Sequence, residues 1–467
     1  MHTSRRRRGV LLWGVAGLAA GLLAGAALLA LTGAAGANRV ARRSTDQPRF
    51  IAATHLPPLL TVPGEPAELR YDIYCDDGVG SEDTSCDAGG TVFVRAGSSG
   101  VFRALALSPD AAAQEGRYVA RVPFDVASSA LGYQYYAVIR DSSTGQTTTL
   151  PSGGAAAPQW SRSLVRPAIV GLGTHEFGAI ERPDARVVSA AWGSGPGQVG
   201  LEGGLQSTPV GGSSFDVDVA GTVTVLDEVN RRVLRFAAGA PPVAVPLDIS
   251  GREADMSLEA DGTIDVLEPA AAGQPAPLLR TFDPSGRALG VAALPDPVAA
   301  QVRIGPAGPT VLQYPSAQWQ SGRQSTSIAD RWDPDQPGAA RAGRPLPGGG
   351  EVVVMRKGGE IRVALVSSGI IQRSWRVQSD TSLAEVQLAQ PLGDRLVLIV
   401  RAYTDSADQF VALVLDGRGL VRSFSLDSAD WAESAPLSRF RLVGQSLYRL
   451  GSGPEGLFVD RYDLEVS

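Results

Sequence analysis

The stretch DVDVAGTVTVLDEVNRRVLRF, residues 216–236, decides the fold class. Its apolar residues alternate with polar ones up to Gly221, alternate again in TVTVLD, and return as VLRF after the polar turn EVNRR. A period of two is typical of half-buried β-strands, and a glycine between two such runs marks a tight turn. The stretch therefore predicts β-strands joined by short turns, and it raises the question of whether this unit repeats.

A second copy follows at residues 257–268, where SLEADGTIDVLE again runs from an alternating segment through a glycine turn into a strand. Later alternating segments turn at four further glycines, Gly308, Gly359, Gly393 and Gly444. Successive turns are 34 to 51 residues apart, a spacing typical of propeller blades. We therefore expect an all-β chain with a six-bladed β-propeller over residues 168–467. Two alternatives stay open for residues 165–205, namely a seventh blade or a strand from PAIVGLG that closes the ring.

The first unit also resembles a known repeat. FDVDVAGTVTVLDEVNRRVLRF is similar to an NHL repeat, and the matching positions are Gly221, Asp227, Asn230 and Arg232. The match is good over this unit, extends to the second one, and is absent from the later four. The resemblance implies an NHL-type propeller of six blades in which the aspartate and the arginine tie the second turn to the third strand.

The chain begins with a basic segment that is followed by an apolar one. Arg5–Arg8 precede an uncharged run whose apolar centre, Val10–Leu31, is 22 residues long. About 20 apolar residues span a bilayer as a helix, and the basic flank stays in the cytoplasm. We expect residues 1–43 to form a single-pass membrane anchor that leaves the later domains outside the cytoplasm. The alternative is a signal peptide cleaved near Ala37, after which the protein is secreted.

The rest of the chain is acidic. The whole sequence carries a net charge of −6, and residues 1–43 contain seven arginines and no acid, so the remainder carries −13. Proteins that bind nucleic acid need a basic surface that displaces counterions from phosphates. The charge distribution therefore argues against a nucleic-acid partner.

Residues 56–151 contain short predicted strands separated by turns rich in glycine, proline and serine. In YQYYAVIRD, for example, Tyr133 and Tyr135 fall on one face and Gln134 on the other. This pattern resembles an immunoglobulin-like or fibronectin type III-like β-sandwich. Residues 44–55 and 152–167 are predicted to be the linkers on either side of it.

The only two cysteines, Cys75 and Cys86, enclose the loop CDDGVGSEDTSC. Two nearby thiols in an exported chain most often form one disulfide. Four acidic residues near this loop are weak candidates for calcium ligands, Asp76, Asp77, Glu82 and Asp83. Because their spacing does not follow a calcium-loop pattern, a solvated acidic loop is the simpler interpretation, and no cofactor is expected.

Catalytic motifs are scarce. His175 is the only histidine of the predicted propeller, and THEFGAI lacks the second histidine of a zinc protease motif. One enzymatic alternative is a gluconolactonase-like hydrolase or lyase with a divalent metal on the propeller axis. Carboxylates near the turns would supply its ligands, among them Asp227, Glu228, Asp265 and Glu268. Such carboxylates more often keep strand edges soluble, so the sequence favours a binding protein over an enzyme.

Residues 314–350 form the longest stretch without a repeat, and long loops in compact folds are often functional. Exposed indole rings anchor partner proteins and stack on sugars. The candidate binding surface therefore comprises three aromatic and three acidic residues, Tyr314, Trp319, Trp332, Asp227, Glu228 and Glu268. We expect a membrane-tethered extracytoplasmic binding or scaffold protein that docks a protein or a glycan.

Overall fold

A computed structural model describes most of the chain after the apolar leader. The described residues are 50–76, 88–110, 116–142, 145–203, 208–250, 253–271, 274, 276–294, 299–313, 318–321, 340–435 and 437–464. Within them nearly all regular structure is β, and the single short helix is α1 (Phe124–Ala127). No helix among these residues has the length and apolar character needed to cross a bilayer. The predicted anchor, Val10–Leu31, lies outside the described residues.

The first unit is a sandwich of two sheets. One sheet contains, in spatial order, β1 (Phe50–Thr54), β3 (Glu68–Asp76), β7 (Arg117–Arg121) and β6 (Ser108–Pro109). The other contains β2 (Leu60–Thr61), β10 (Gln159–Ser163), β8 (Tyr133–Asp141), β4 (Ala88–Ala96) and β5 (Arg103–Ala106), with β9 (Thr147–Leu150) also paired to β8. A two-sheet sandwich is therefore present, and its assignment as immunoglobulin-like stays a prediction.

The predicted alternation builds the core of the sandwich. In β8 every second side chain is fully buried, beginning with Tyr133 and Tyr135, and these pack against Leu69 and Ile73 of the facing sheet. Burying one large apolar side chain stabilises a fold by roughly 1.5–3 kcal/mol, so this row alone is a substantial contribution. Residues 152–167, predicted as a linker, contain β10, which pairs antiparallel with β8 and belongs to the sandwich.

The remaining strands form six small sheets, which we call blades 1 to 6. Blade 1 contains β13 (Ser214–Val217), β14 (Val223–Asp227), β15 (Arg232–Phe236) and β16 (Val243–Pro246). Blade 2 contains β17 (Asp255–Leu258), β18 (Ile264–Glu268), β19 (Leu278–Phe282) and β20 (Ala288–Ala293). Blade 3 contains β21 (Ala299–Gly305), β22 (Gly308–Gln313), β23 (Gln318–Ser321) and β24 (Ala340–Arg341).

The last three blades follow the same plan, and blades 4 and 6 each include one strand from earlier in the chain. Blade 4 contains β25 (Arg344–Pro345), β26 (Glu351–Lys357), β27 (Glu360–Ser367), β28 (Ile370–Gln378) and β11 (Ala168–Gly171). Blade 5 contains β29 (Ser382–Leu392), β30 (Arg395–Tyr403), β31 (Asp408–Asp416) and β32 (Gly419–Leu426). Blade 6 contains β33 (Phe440–Val443), β34 (Ser446–Gly453), β35 (Gly456–Asp463) and β12 (Ala185–Ala191).

The six blades form a closed ring. We call the first long strand of each blade its inner strand, which in blade 4 is β26. Inner strands of neighbouring blades are in contact, β13 with β17, β17 with β21, β26 with β29, and β29 with β33, while blade 3 contacts blade 4 through β21 and the short strand β25. The ring closes because β33 also contacts β13. Apolar clusters of described residues fill five of the six spaces between neighbouring blades, including the closing space between blades 6 and 1, and the exception is the space between blades 3 and 4. The chain therefore contains a β-propeller.

Closure of the ring depends on residues 165–205, for which two alternatives were open. PAIVGLG does not close the ring, because β11 pairs in parallel with β28 at the outer edge of blade 4. Instead β12 pairs antiparallel with β35 and completes blade 6. Both strands of this segment belong to blades formed mainly by later residues, so the described residues contain no seventh blade.

All six predicted glycine turns lie between the first and second long strands of a blade. Gly221, Gly262, Gly308, Gly393 and Gly444 have positive φ angles, a backbone region that glycine enters without steric cost. In blade 4 the positive φ belongs to Gly358 rather than to its neighbour Gly359. The six-hairpin prediction is confirmed, and only the local turn geometry of blade 4 differs.

The sandwich packs directly on blade 4. Leu59, Leu60 and Leu164 of the sandwich form one apolar cluster with inner residues of blade 4. Beside this cluster, Glu65 accepts hydrogen bonds from Arg362 at 2.7 Å and from Lys357 at 2.9 Å. The apolar contact and the ion pairs fix the sandwich to one side of the ring.

Candidate functional site

The predicted acidic candidates are buried within the blades. Asp227 ends β14, and its side chain is inaccessible to solvent. Arg232 Nε donates to Asp227 Oδ2 at 2.8 Å, Asn230 Nδ2 donates to the same oxygen at 2.8 Å, and Gly200 N donates to Oδ1 at 2.9 Å. The aspartate therefore joins the turn after β14 to β15 and to the loop that precedes the blade. This is the pairing that the NHL resemblance implies.

Glu268 occupies the equivalent place in blade 2. It ends β18, is fully buried, and accepts hydrogen bonds from Arg280 of the next strand and from Ser250 N of the preceding loop. An acid at the end of the second strand thus binds an arginine of the third strand in both blades. The two carboxylates are repeated structural groups, and neither presents a surface to a partner.

Glu228 links two blades. Its oxygens accept hydrogen bonds from the backbone N–H groups of Glu253 at 2.9 Å and Ala254 at 3.0 Å, just before the inner strand of blade 2. Burial raises the pKa of Glu228 to about 7, although these backbone donors oppose the shift. All three predicted acidic candidates therefore stabilise the ring from within.

The aromatic candidates have different locations. Trp319 lies on β23, is almost fully buried, and lines a cavity at the centre of the ring. Tyr314 and Trp332 lie outside the described residues, as do the side chains of the predicted disulfide and of the acidic loop, Cys75, Cys86, Asp76, Asp77, Glu82 and Asp83. The predicted disulfide and calcium site therefore stay predictions.

The cavity has a volume of about 590 Å³ and lies where the inner strands converge. Every blade contributes to its wall, with polar side chains that include Asp216, Ser257, Arg303, Arg344, Gln387 and Arg441. Pro347, Gly348 and Gly349 line it and are themselves exposed, so the cavity opens to solvent at the turn between β25 and β26. Its size lies within the range of about 300–1,000 Å³ that is typical of small-molecule sites.

A network around Asp255 supports the polar side of this cavity. Asp255 is buried, and its Oδ2 accepts hydrogen bonds from Arg303 Nη1 at 2.7 Å and from Val302 N at 2.9 Å. Its Oδ1 accepts hydrogen bonds from Ser214 Oγ at 2.8 Å and Ser438 Oγ at 2.5 Å. Burial acts to raise the pKa of Asp255, but the two nearby arginines outweigh it and hold that pKa below its ordinary value. One carboxylate thus connects residues of blades 1, 2 and 3 with the segment that leads into blade 6.

Arg441 extends this network. Its Nη2 donates to Met256 O at 3.0 Å, and its Nε lies 3.5 Å from Asp216 Oδ1. Asp216 is itself held by Ser257 Oγ at 3.2 Å and Leu258 N at 2.8 Å. Arg303 and Arg441 are therefore each bonded to carboxylates in the wall.

Arg344 differs from the other two arginines. Its Nη2 donates to Ala389 O at 2.7 Å, and no carboxylate among the described residues lies within ion-pair distance of it. Burial lowers the pKa of Arg344 to about 9, and the positive charges of Arg303 and Arg441 lower it further. A guanidinium that no acid of the described part of the chain neutralises thus borders the cavity.

The axial metal of the enzymatic alternative requires a cluster of oxygen or nitrogen ligands. Across the part of the chain that the structure describes, no three His, Cys, Asp or Glu side chains are placed to hold a metal ion. His175 is bonded to Gln409 Oε1 through Nε2, at 3.1 Å, rather than to a carboxylate. The charged residues that line the described centre of the propeller are three arginines, Arg303, Arg344 and Arg441, and one carboxylate, Asp216.

The sequence interpretation missed the arginines of the cavity. A signal was nevertheless present, because Asp216, Ser257 and Arg303 each precede the turn glycine of their blade by five residues. A polar residue at a fixed distance from a repeated turn occupies an equivalent place in each blade. Comparing these positions would have identified the side chains that share the axis.

No family model and no curated protein matches the chain. Among solved structures, it is similar to virginiamycin B lyase from Staphylococcus aureus, with a TM-score of 0.34 and 11% identity, over 54% of this chain and 95% of that one. It is also similar to a gluconolactonase from Xanthomonas campestris, with a TM-score of 0.24 and 13% identity, over 64% and 99% of the two chains. At such scores these likenesses carry no weight, and the propeller follows from the closed ring of strand contacts.

Proposed function

We propose that this protein is a membrane-tethered extracytoplasmic binding protein whose propeller binds its partner at the mouth of the axial cavity. The observation that carries the proposal is the cavity itself, which is open to solvent and is lined by inner strands of all six blades. A cavity built from several sheets has a wall whose shape is fixed by the ring. Rigid, concave and partly polar sites of this size are typical of ligand-binding proteins.

The location of the cavity agrees with the sequence analysis. The cavity is lined by Trp319, near the start of the long stretch 314–350. It is also lined by residues near the end of that stretch, Ala342, Arg344, Leu346, Pro347, Gly348 and Gly349. The partner is proposed to be a protein or a glycan that inserts a group into the cavity. The membrane tether is proposed from the basic and apolar leader alone.

A matched pair of glycine substitutions tests the proposal. Gly348 lines the cavity mouth, and a Cβ added there meets no atom within 4 Å. Gly171, on the outer strand of blade 4, is equally open and is exposed. Gly348→Trp therefore places an indole at the mouth, whereas Gly171→Trp places the same group on the outside of the same blade.

The full-length chain carrying a C-terminal tag is crosslinked in cells, solubilised in detergent, and recovered with its partners. We expect the Gly171→Trp variant to retain the partners of the wild type and the Gly348→Trp variant to lose at least one of them. Equal recovery of every partner by both variants would show that the cavity mouth is not the binding site.

A further inference from the structure

We propose that the axial cavity binds a small amphipathic monoanion, a carboxylate attached to an apolar body, and that Arg344 contacts the carboxylate. This inference rests on the proposed function and specifies its ligand chemistry. Three observations support it: the ionic partners of the cavity arginines, the balance of charge around the cavity, and the apolar residues that share its lining.

The first observation concerns ionic partners. Arg303 and Arg441 are bonded to Asp255, and Arg441 also lies 3.5 Å from Asp216. Arg344 has no such partner among the described residues, and its recorded hydrogen bond goes to a neutral carbonyl, Ala389 O. Buried or partly buried charges are normally paired, because the cost of removing them from water is otherwise not offset. Arg344 is therefore a guanidinium to which the described residues supply no counter-charge.

The second observation is the balance of charge. Three guanidinium groups, from Arg303, Arg344 and Arg441, face two carboxylates, from Asp216 and Asp255. One positive charge remains, and a single carboxylate neutralises it. A guanidinium also offers planar pairs of N–H donors that match the two oxygens of a carboxylate. The surplus thus favours a monoanion over a metal ion or a dianion.

The third observation is the apolar wall. Leu312, Trp319, Val352, Val354 and Leu388 line the same cavity as the arginines. Small-molecule sites typically combine such a wall with a few polar groups that fix the orientation of the ligand. A ligand with a carboxylate at one end and an aliphatic or aromatic body at the other pairs its charge with Arg344 and buries its body against these apolar residues.

The experiment measures binding of 3-phenylpropanoate and of its neutral isostere 3-phenylpropanamide to the full-length protein in lipid nanodiscs by isothermal titration calorimetry. We expect the acid to bind the wild type at least tenfold more tightly than the amide. Arg344→Met should remove this preference, because methionine retains much of the side-chain length without the charge. Arg373→Met is the matched control, since Arg373 is exposed on a strand of the same blade.

Stability in the absence of ligand provides a second measurement. Because no acid in the described ranges pairs with Arg344, we expect Arg344→Met to unfold at the same temperature as the wild type or at a higher one. Arg344→Lys, which keeps the charge, should retain part of the preference for the acid.

The inference is overturned if the wild type binds acid and amide equally, if it binds neither, or if Arg344→Met keeps the preference for the acid. A lower unfolding temperature of ligand-free Arg344→Met would also overturn it, because the guanidinium would then already have a stabilising partner. If the wild type binds both compounds equally and Gly348→Trp binds neither, the proposed function stands and the preference for an anion is contradicted. Loss of the proposed function itself is detected separately by the crosslinking comparison of Gly348→Trp with Gly171→Trp.

Discussion

Asp255 Oδ2 lies 2.7 Å from Arg303 Nη1, so an acid of blade 2 is bonded to a base of blade 3 across the boundary between two inner strands. Asp255 also accepts hydrogen bonds from Ser214 of blade 1 and from Ser438 next to blade 6. The propeller is thus held at its axis by ionic and polar contacts as well as by the apolar packing between its sheets.

We predict that Asp255→Asn destabilises the protein by about 3–5 kcal/mol, because Arg303 and Arg441 then lose the buried charge that compensates them. Urea unfolding followed by tryptophan fluorescence measures the change. Asp405→Asn is the control, since Asp405 is an exposed turn residue of blade 5. If both variants unfold at the urea concentration of the wild type, the axial network contributes little to stability.

The pair Asp227–Arg232 gives a second prediction. Arg232→Met should cost about 3 kcal/mol, since it leaves the fully buried Asp227 without its cation. The double variant Asp227→Asn/Arg232→Met should recover part of this loss, because no unpaired charge then remains. The same cycle on Glu268 and Arg280 should give a coupling of the same sign, as expected of equivalent positions in two blades. Additive losses in both cycles would contradict the structural role of these pairs.

The two blades in which these pairs occur are also those that the sequence describes best. The glycine turns of all six blades are predictable because alternation and turn glycines are local features of the chain. The pairing of β12 with β35 is not predictable, because it joins residues that are far apart in the chain, such as Ala185 and Arg461, and leaves no local pattern in the sequence. The same reason explains why the role of the acidic residues in the candidate site could not be predicted. From the sequence alone, Asp227 resembles an exposed turn residue. In the folded protein, Arg232 and the backbone of Gly200 donate hydrogen bonds to its carboxylate.

A third prediction concerns acid sensitivity of the sandwich. His55 Nδ1 lies 2.6 Å from Arg70 O and Nε2 lies 2.6 Å from Tyr135 OH, which suits a neutral ring. Burial lowers the pKa of His55 to about 4, although the bond to Arg70 opposes the shift. The unfolded chain therefore binds a proton first, and stability falls as the pH decreases from about 6.5 to about 4.

Urea midpoints between pH 7 and pH 5 should accordingly fall more for the wild type than for His55→Gln. His175→Gln is the control and should fall as the wild type does. A His55→Gln variant with the full pH dependence of the wild type would show that His55 is not the responsible group.

Glu228 provides a fourth prediction with the opposite sign. Its pKa is raised to about 7 by burial, against 4.5 as the ordinary value, so the folded state favours the protonated acid. Its contribution to stability is complete below about pH 4.5 and is lost as the pH rises towards 7. The free energy of unfolding of Glu228→Gln, relative to that of the wild type, should therefore be higher at pH 7 than at pH 4.5. The exposed Glu455→Gln substitution should show no such difference between the two pH values.

The most direct test of the central claim is a disulfide across β12 and β35, a pair that joins the segment leading into blade 1 to the last strand of blade 6. Ser189 of β12 lies opposite Phe458 of β35, and opposed residues of antiparallel strands have Cα separations that a disulfide can bridge. We predict that Ser189→Cys/Phe458→Cys loses both introduced thiols on mild oxidation and then unfolds at a higher temperature, whereas Ser189→Cys alone does neither. Two thiols that stay free in the folded double variant would contradict a closed ring of six blades, and with it the axial cavity on which the proposed binding depends.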